Sequence, residues 1–233
     1  MSVFNQIANL EKPVQLKSPF GFVPPFRAVI TGASGTGKTT WLIAYLNGNF
    51  SQFDQIIWIT PKSSMGQPKF QLLRDKWGKY INFLSLDEMD RIDALIDHGF
   101  ASGWQTCAVI DDYITESKHP FIAKLFTSGR HKNVSIFELL QSIFPEGSRV
   151  HRLNTDVFVI FRFGAQSEFR TLLNQVTSEK ALATEANAIY KRILEFKPNG
   201  CFILDLKSRS TKQLPLRCRD SWIDVLIPSL YNL

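Results

Sequence analysis

The stretch Gly32–Thr40 reads G-A-S-G-T-G-K-T-T and decides how the rest of the chain is interpreted. From Gly32 to Thr39 it matches the phosphate-loop pattern G-x-x-x-x-G-K-[S/T] at every defined position. A short apolar segment, Phe26–Ile30, precedes the loop, and Thr40–Asn47 after it carries apolar residues suited to a helix packed on a sheet. Strand, glycine loop and helix therefore follow one another in the order that the pattern requires.

The residue types of this loop suit the binding of a nucleoside triphosphate. Glycines allow the backbone to turn tightly and approach a phosphate, and N–H groups at a helix N-terminus attract anions. Lys38 would neutralise the β- and γ-phosphates of ATP, and the Thr39 hydroxyl would ligate Mg²⁺. A glycine-rich turn before an ordinary helix would not need lysine followed by threonine. We therefore predict that the whole loop contacts nucleotide: Gly32, Ala33, Ser34, Gly35, Thr36, Gly37, Lys38, Thr39 and Thr40.

A second motif, Thr106–Asp112, reads T-C-A-V-I-D-D, an apolar strand that ends in two acids. A pair of acids after an apolar run is usually a strand end that meets a turn. About seventy residues after a phosphate loop, however, it has the Walker B arrangement. The strand would deliver its carboxylates to the ligand edge of the sheet. Asp111 would then hold Mg²⁺, and Asp112 would act as general base on the attacking water.

The 233 residues, 44% of them hydrophobic, are enough for one α/β domain with a substantial core. We expect this domain to span residues 26–233. Residues 1–25 contain four prolines and little periodicity, which predicts an extended N-terminal arm. Such an arm could lie on a neighbouring subunit or pack on its own domain.

Composition restricts the compartment and the partners. No apolar run approaches the roughly 20 residues of a membrane span, and the N-terminus lacks a signal-peptide pattern. Three scattered cysteines fit neither a disulfide framework nor a zinc site. We therefore expect an intracellular protein in a reducing compartment. The net charge of +6 favours a polyanionic partner without identifying it.

Further apolar segments predict a mainly parallel central sheet with helices on both faces and a C-terminal β-hairpin. Val134–Gln141 reads as a strand, and Gln141 at its tip could contact the γ-phosphate or its water. An ordinary polar strand end is the alternative. Glu138 within this strand must be paired or lie on an open face, because a buried lone carboxylate is costly. The hairpin is predicted from two apolar segments, Gly200–Leu206 and Gln213–Cys218, around the basic tip 207–212.

The segment Lys62–Tyr80 carries five basic residues, one acid and three aromatic residues. Interleaved basic and aromatic side chains can follow a nucleic-acid backbone. More often such charges form the solvated face of a helix whose aromatic residues point inward. Both readings stay open.

Taken together, the phosphate loop, the double aspartate, the G-R-H-K-N-V-S block from Gly129 leading to Gln141, and the stretch from Arg149 to Arg162 resemble one family. They are similar to the genome-packaging ATPases of poxviruses, virophages and related double-stranded DNA viruses, in the FtsK/HerA-like branch of P-loop ATPases. Glu138 departs from the apolar residue expected in this family. Asp112 is one methylene shorter than the catalytic glutamate of many ring ATPases.

The resemblance implies a homo-oligomeric ring, a pentamer or hexamer, that threads double-stranded DNA into a preformed capsid. It implies capsid or portal-vertex proteins as partners, and a location in the host cytoplasm, the viral factory or the virion vertex. It also implies an arginine that reaches the γ-phosphate bound by the neighbouring subunit. Arg130 is the first candidate for this arginine, followed by Arg149 and Arg152.

Two other functions are compatible with the phosphate loop. One is a small-molecule kinase, which would act as a monomer without DNA. The other is a nucleotide-gated module that organises the capsid vertex and hydrolyses ATP slowly. A GTPase is disfavoured because no N-K-x-D guanine-reading sequence occurs in the chain.

Overall fold

The computed structural model describes residues 22–113, 119–145, 149–163, 166–176, 180–196, 199–206 and 217–219. The strands are β1 (Arg27–Thr31), β2 (Gln55–Ile59), β3 (Ile81–Leu84), β4 (Thr106–Ile110), β5 (Val134–Leu140), β6 (Val157–Ile160), β7 (Phe202–Asp205) and β8 (Arg217–Arg219). The helices are α1 (Lys38–Asn49), α2 (Pro68–Trp77), α3 (Met89–Ala101), α4 (Pro120–Ser128), α5 (Arg149–Asn154), α6 (Gln166–Val176) and α7 (Lys180–Phe196). Short 3-10 segments lie at Phe50–Gln52, Lys62–Ser64, Gly78–Tyr80, Leu86–Glu88 and Gly129–Lys132.

The strands form one sheet in the order β3-β2-β4-β5-β1-β6-β7-β8. Strands β1 to β6 pair in parallel, whereas β7 and β8 add antiparallel at one edge. Strand β5 lies between β1, which leads into the phosphate loop, and β4, which ends at the two aspartates. Carboxyl ends of parallel strands meet at one edge, so the two motifs and the residue after β5 converge there.

The sheet is buried on both faces, which explains its long apolar runs. All five residues of β1, β2 and β4 are buried, and so are all seven of β5. Neighbouring residues of one strand point to opposite faces. Accordingly Val29 and Ile136 belong to one apolar cluster, and Ala28 and Phe137 belong to the other. The predicted α/β class, with helices on both faces of a mainly parallel sheet, is confirmed.

Capping and turn residues set several helix boundaries. A capping box between Ser85 and Glu88 begins the 3-10 segment that precedes α3, and regular helix follows from Met89. Helix α4 ends at Ser128, and a 3-10 segment leads to Asn133 with φ 56°. Arg149 and Arg152 lie on the short helix α5.

The predicted C-terminal hairpin is present as the antiparallel pair of β7 and β8, in which Leu204 is opposite Cys218. The described part of its second strand is Arg217–Arg219, and residues 213–216 of the predicted segment lie outside the described residues. The basic tip at residues 207–212 lies outside the described residues, as do residues 1–21 of the predicted arm and the apolar tail from Trp222. Within the described part of the chain, no helix is both long and apolar enough to cross a membrane.

Candidate nucleotide-binding site

A cavity of about 320 Å³ opens at the carboxyl edge of β1, β4 and β5. It combines the glycine-rich loop after β1, the two aspartates after β4 and the residue that follows β5. The lining residues are Ser34, Gly35, Gly37, Lys38, Thr39, Thr40, Lys69, Asp111, Asp112, Leu139 and Gln141. The two sequence motifs, which lie far apart along the chain, therefore form one site.

The start of the loop needs glycine for two reasons. Gly32 has a φ of 147°, and a Cβ at this position would lie 2.6 Å from the Cβ of Phe161. The loop is held at this close approach by backbone bonds, because the N–H of Gly32 donates to the carbonyl of Leu140 and that of Ala33 to the carbonyl of Arg162. The ends of β5 and β6 thus fix the position of the loop.

Lys38 begins α1 and turns its ammonium group over the loop. Its Nζ donates to the carbonyls of Gly32 at 2.6 Å and Ala33 at 2.9 Å. Desolvation by burial lowers the pKa of Lys38, and the negative charge of Asp111 opposes this shift. The lysine therefore places a partly desolvated positive charge at the loop, where a phosphate would gain most from it.

Asp111 is the buried member of the acidic pair, with 5% of its surface exposed. Burial raises the pKa of this carboxyl group, and the nearby positive charge of Lys69 opposes the shift. Its Oδ2 accepts no hydrogen bond from the described residues, and Nζ of Lys69 lies 3.6 Å from it as an ion-pair partner. A buried carboxylate oxygen in this situation, in a cavity also lined by the Thr39 hydroxyl, provides the hard oxygen ligands that Mg²⁺ prefers.

Asp112 is the exposed member of the pair and lies in the left-handed region, with φ 66°. Aspartate tolerates this conformation better than most residues, but it is still uncommon outside glycine. The Oγ of Ser64 donates a hydrogen bond of 3.0 Å to Oδ2 of Asp112. Backbone conformation and Ser64 together direct this carboxylate into the cavity, where it can accept a proton.

Gln141 follows the last residue of β5 and lines the cavity together with Leu139. It is exposed at the same edge of the sheet as Asp111 and Asp112. An amide at this position can both donate to a phosphate oxygen and accept from a water. Gln141 therefore lies at the cavity, at the strand end where the sequence placed it.

Comparison with known families identifies the chain. The sequence profile of the poxvirus A32 protein family matches residues 22–144, more than half of the 233 residues. The chain belongs to the poxvirus A32 family. The resemblance to viral genome-packaging ATPases is thereby confirmed. The matched A32 region contains the phosphate loop, both aspartates, Arg130 and Gln141, and it ends before Arg149 and Arg152. Comparison with curated protein sequences gives no match.

Solved structures agree with the fold of this A32 chain. The genome packaging NTPase B204 from Sulfolobus turreted icosahedral virus 2, in complex with AMP, has a TM-score of 0.55 at 16% identity, over 81% of this chain and 96% of B204. B204 from Sulfolobus turreted icosahedral virus, described as a DNA-packaging ATPase, has a TM-score of 0.53 at 17% identity, over 79% and 94% of the two chains. The KaiC-like protein PH0186 from Pyrococcus horikoshii OT3 has a TM-score of 0.50 at 12% identity, over 93% and 97%. At these identities the likeness shows the P-loop fold.

Two residues that contact the aspartates of the A32 chain's cavity were not predicted as site residues, and of the two only Lys69 lines the cavity. Ser64 lies in the 3-10 segment after β2 and contacts Asp112. Lys69 was grouped with the basic stretch, but its Nζ lies 3.6 Å from Oδ2 of Asp111. Neither residue belongs to a motif, and each is more than forty positions from its partner in sequence. Only the position of β2 beside β4 could have indicated them.

The rest of the basic stretch is largely engaged within the subunit. Lys62 pairs with Asp87 at 3.3 Å, and Arg74 donates to the carbonyl of Met65. Phe70 and Trp77 are buried, whereas the ring of Tyr80 is 45% exposed. Two of the three aromatic residues thus point inward, as they do in a solvated helix face.

The three candidate arginines occupy different surroundings. Arg130 precedes the seven-residue strand β5, whereas Gln141 follows it. Since such a strand is about 23 Å long, Arg130 lies at the opposite edge of the sheet from the cavity of its own subunit. Arg152 is held against the segment after Gln141, because it donates to the carbonyl of Ile143 and stacks over Phe144. Arg149 and Arg130 are both exposed.

Proposed function

We propose that this A32-family protein is an ATP-driven motor that translocates double-stranded viral DNA into a preformed capsid. The observation that carries the proposal is the single cavity in which Lys38, Asp111, Asp112 and Gln141 meet, in a chain of the A32 family. Each of the four has a separate task in phosphoryl transfer, and together they favour hydrolysis over nucleotide binding alone.

The chemistry follows from the positions of these side chains. Thr39 and Asp111 would hold Mg²⁺, which would supply positive charge to neutralise the triphosphate. Lys38 contacts the same phosphates from the loop side. Asp112 polarises the attacking water and takes its proton, with Ser64 keeping its carboxylate in place. Gln141 orients the water or the γ-phosphate from the neighbouring strand.

The motor works as a homo-oligomeric ring, a pentamer or hexamer, in which an arginine completes the site of the neighbouring subunit. Arg130 stays the first candidate, because it is exposed and remote from the cavity of its own subunit. Arg149 is the second, since Arg152 is already held by Ile143 and Phe144. Capsid or portal-vertex proteins would be the other partners, in the host cytoplasm, the viral factory or the virion vertex.

The test is ATP hydrolysis as a function of added double-stranded DNA, with oligomer mass measured in the same samples. Wild type is compared with Lys38→Ala, Asp112→Asn and Arg130→Ala. Asparagine tolerates a positive φ, so Asp112→Asn keeps the backbone and removes the base. We expect DNA-stimulated hydrolysis by an oligomer that all three variants lose, since a trans arginine is worth about 10³-fold or more in turnover. Leu153→Ala, on the exposed face of α5, is the control.

Two other outcomes would replace the motor by another function. Turnover by a monomer that is indifferent to DNA and to Arg130 would point to a small-molecule kinase. Saturable ATP binding with negligible hydrolysis, unchanged by DNA, would point to a nucleotide-gated module that organises the capsid vertex.

A further inference from the structure

Lys69 is a second lysine in the cavity, and helix stability does not explain its position. It is the second residue of α2, where a positive charge is unfavourable because it faces the positive end of the helix dipole. The first turn of α2 contains no acidic residue, and its N-cap residue makes no side-chain cap. The side chain of Lys69 is only 26% exposed, compared with 65% for Lys62 on the same connection.

The side chain of Lys69 is directed toward the site by its neighbours. Its Nζ lies 3.6 Å from Oδ2 of Asp111 and 4.7 Å from the centre of the Phe70 ring. Phe70 is fully buried, so the aromatic face that the ammonium group contacts is fixed. Lys69 therefore reaches the cavity from a rigid support.

The two lysines approach the cavity from opposite sides. Lys38 follows β1 and Lys69 follows β2, and the sheet order β2-β4-β5-β1 places the ends of β4 and β5 between them. Asp112, the candidate base, follows β4. It accepts a hydrogen bond from Ser64, which lies after β2, as Lys69 does. The β2 side of the cavity is therefore the side of the attacking water and the terminal phosphate.

Charge favours the same assignment. The formally charged residues that line the cavity are Lys38, Lys69, Asp111 and Asp112, two of each sign. In an ionised triphosphate the terminal γ-phosphate carries more negative charge than the α- or the β-phosphate, so a cation beside it is favoured. Without Lys69, the described lining on the β2 side of the cavity would present two carboxylates and no cation.

We propose that Lys69 contacts the γ-phosphate oxygens of ATP bound in the same subunit, and so distinguishes a triphosphate from a diphosphate. The proposal rests on the nucleotide site of the proposed function but not on DNA translocation. Lys69 is then a cation supplied in cis, in addition to any arginine supplied by a neighbouring subunit.

The test is equilibrium binding of AMPPCP and of ADP, both with Mg²⁺, to wild type and to Lys69→Met. A lost charge-assisted hydrogen bond corresponds to roughly tenfold or more in affinity. We expect Lys69→Met to bind AMPPCP about tenfold more weakly and ADP within about twofold of wild type. Lys69→Arg is expected to recover most of the AMPPCP affinity, because it restores the positive charge. Lys62→Met, whose lysine pairs with Asp87 on the surface, is the matched control.

Equal changes for both nucleotides, or no change, would overturn the proposal and leave Lys69 as a structural partner of Asp111. Thermal unfolding of each variant separates a folding defect from a binding defect, since a misfolded variant would lose ADP as well. Binding needs neither hydrolysis nor DNA. A wild type that binds both nucleotides but shows no DNA-stimulated turnover would therefore contradict the motor without affecting the assignment of Lys69.

Discussion

The carboxylate of Glu138, in the middle of β5, lies 2.9 and 3.0 Å from Nδ1 of His151 on α5. Both side chains are buried, with exposures of 2% and 1%. The imidazole stacks on Phe126, with ring centres 4.8 Å apart and planes at 9°. Of the two possibilities left by the sequence, Glu138 is therefore paired and does not lie on an open face. The pair ties α5, which carries Arg149 and Arg152, to the strand that ends at Gln141.

Removing only one partner of this pair should destabilise the protein strongly. His151→Leu leaves the Glu138 carboxylate buried without its partner, which costs about 3–5 kcal/mol. The double variant Glu138→Leu/His151→Leu should recover much of this loss, because two apolar groups can replace a buried pair. Urea unfolding measures the free energy of unfolding of the single and the double variant. Leu153→Ala on the same helix is 75% exposed and should leave stability near wild type. A double variant less stable than His151→Leu would show that the pair is not what fixes α5.

Ser64→Ala should lower kcat for ATP hydrolysis and leave the KM for ATP unchanged. Ser64 holds Asp112 through a hydrogen bond of 3.0 Å and does not line the cavity itself. Loss of the hydrogen bond that positions the Asp112 carboxylate as general base should reduce kcat by roughly tenfold. Ser64→Thr, which keeps the hydroxyl, should restore kcat. Ser63→Ala, at the exposed neighbouring position, is the control. If KM rose instead, Ser64 would act on nucleotide binding and not on the base.

Gly32→Ala should abolish nucleotide binding while the fold remains. The new Cβ would meet the Cβ of Phe161 at 2.6 Å, at a backbone φ of 147° that an L side chain rarely adopts. Overpacking of this kind costs about 1–3 kcal/mol and would displace the loop from the ends of β5 and β6. Gly66→Ala is the matched control, because nothing lies within 4 Å of its added Cβ. Titration with a fluorescent ATP analogue measures nucleotide affinity in the two variants, and thermal unfolding shows whether each remains folded. Wild-type affinity in Gly32→Ala would mean that the loop tolerates the shift.

The correctly predicted parts of the fold, and the placement of predicted residues at the cavity, depend on local signals. The phosphate loop is a contiguous motif, and β4 is recognisable in the sequence as an apolar run that ends at Asp111. Burial of the sheet on both faces follows from such runs in β1, β2 and β5, because a half-exposed strand would alternate. Gln141 was placed by its position at the end of an apolar strand, and it does line the cavity.

The parts that were not predicted depend on pairs of residues distant in the chain. Insertion of β5 between β1 and β4 places Glu138 near His151, and no periodicity contains that information. Pairing of β2 with β4 likewise brings Ser64 to Asp112. Lys69 was assigned to a basic surface since its charge is visible in sequence, whereas its direction is set by Phe70 and the tertiary fold.

Tyr190 on α7 contacts the segment after β6, on which the glycine-rich loop rests. Its ionisation should make the free energy of unfolding fall at alkaline pH. Its hydroxyl donates to the carbonyl of Phe161 at 2.8 Å and accepts from the N–H of Phe163. Burial raises the pKa of Tyr190 to about 12, above the ordinary value near 10. Because the folded-state pKa is the higher one, the stabilisation is complete below about pH 10 and is lost as pH rises toward about 12.

Tyr190→Phe should therefore cost about 1–3 kcal/mol at about pH 8, since two backbone groups lose their partner. From about pH 9 to about pH 11, wild type should lose about 1 kcal/mol more than the variant, because only wild type has this group to ionise. Urea unfolding at the two pH values measures how far the difference in unfolding free energy between wild type and Tyr190→Phe decreases. Tyr80→Phe, whose ring is 45% exposed, should keep the alkaline decline of wild type. A gap between wild type and Tyr190→Phe that stays constant over this range would exclude Tyr190 as the source of the decline.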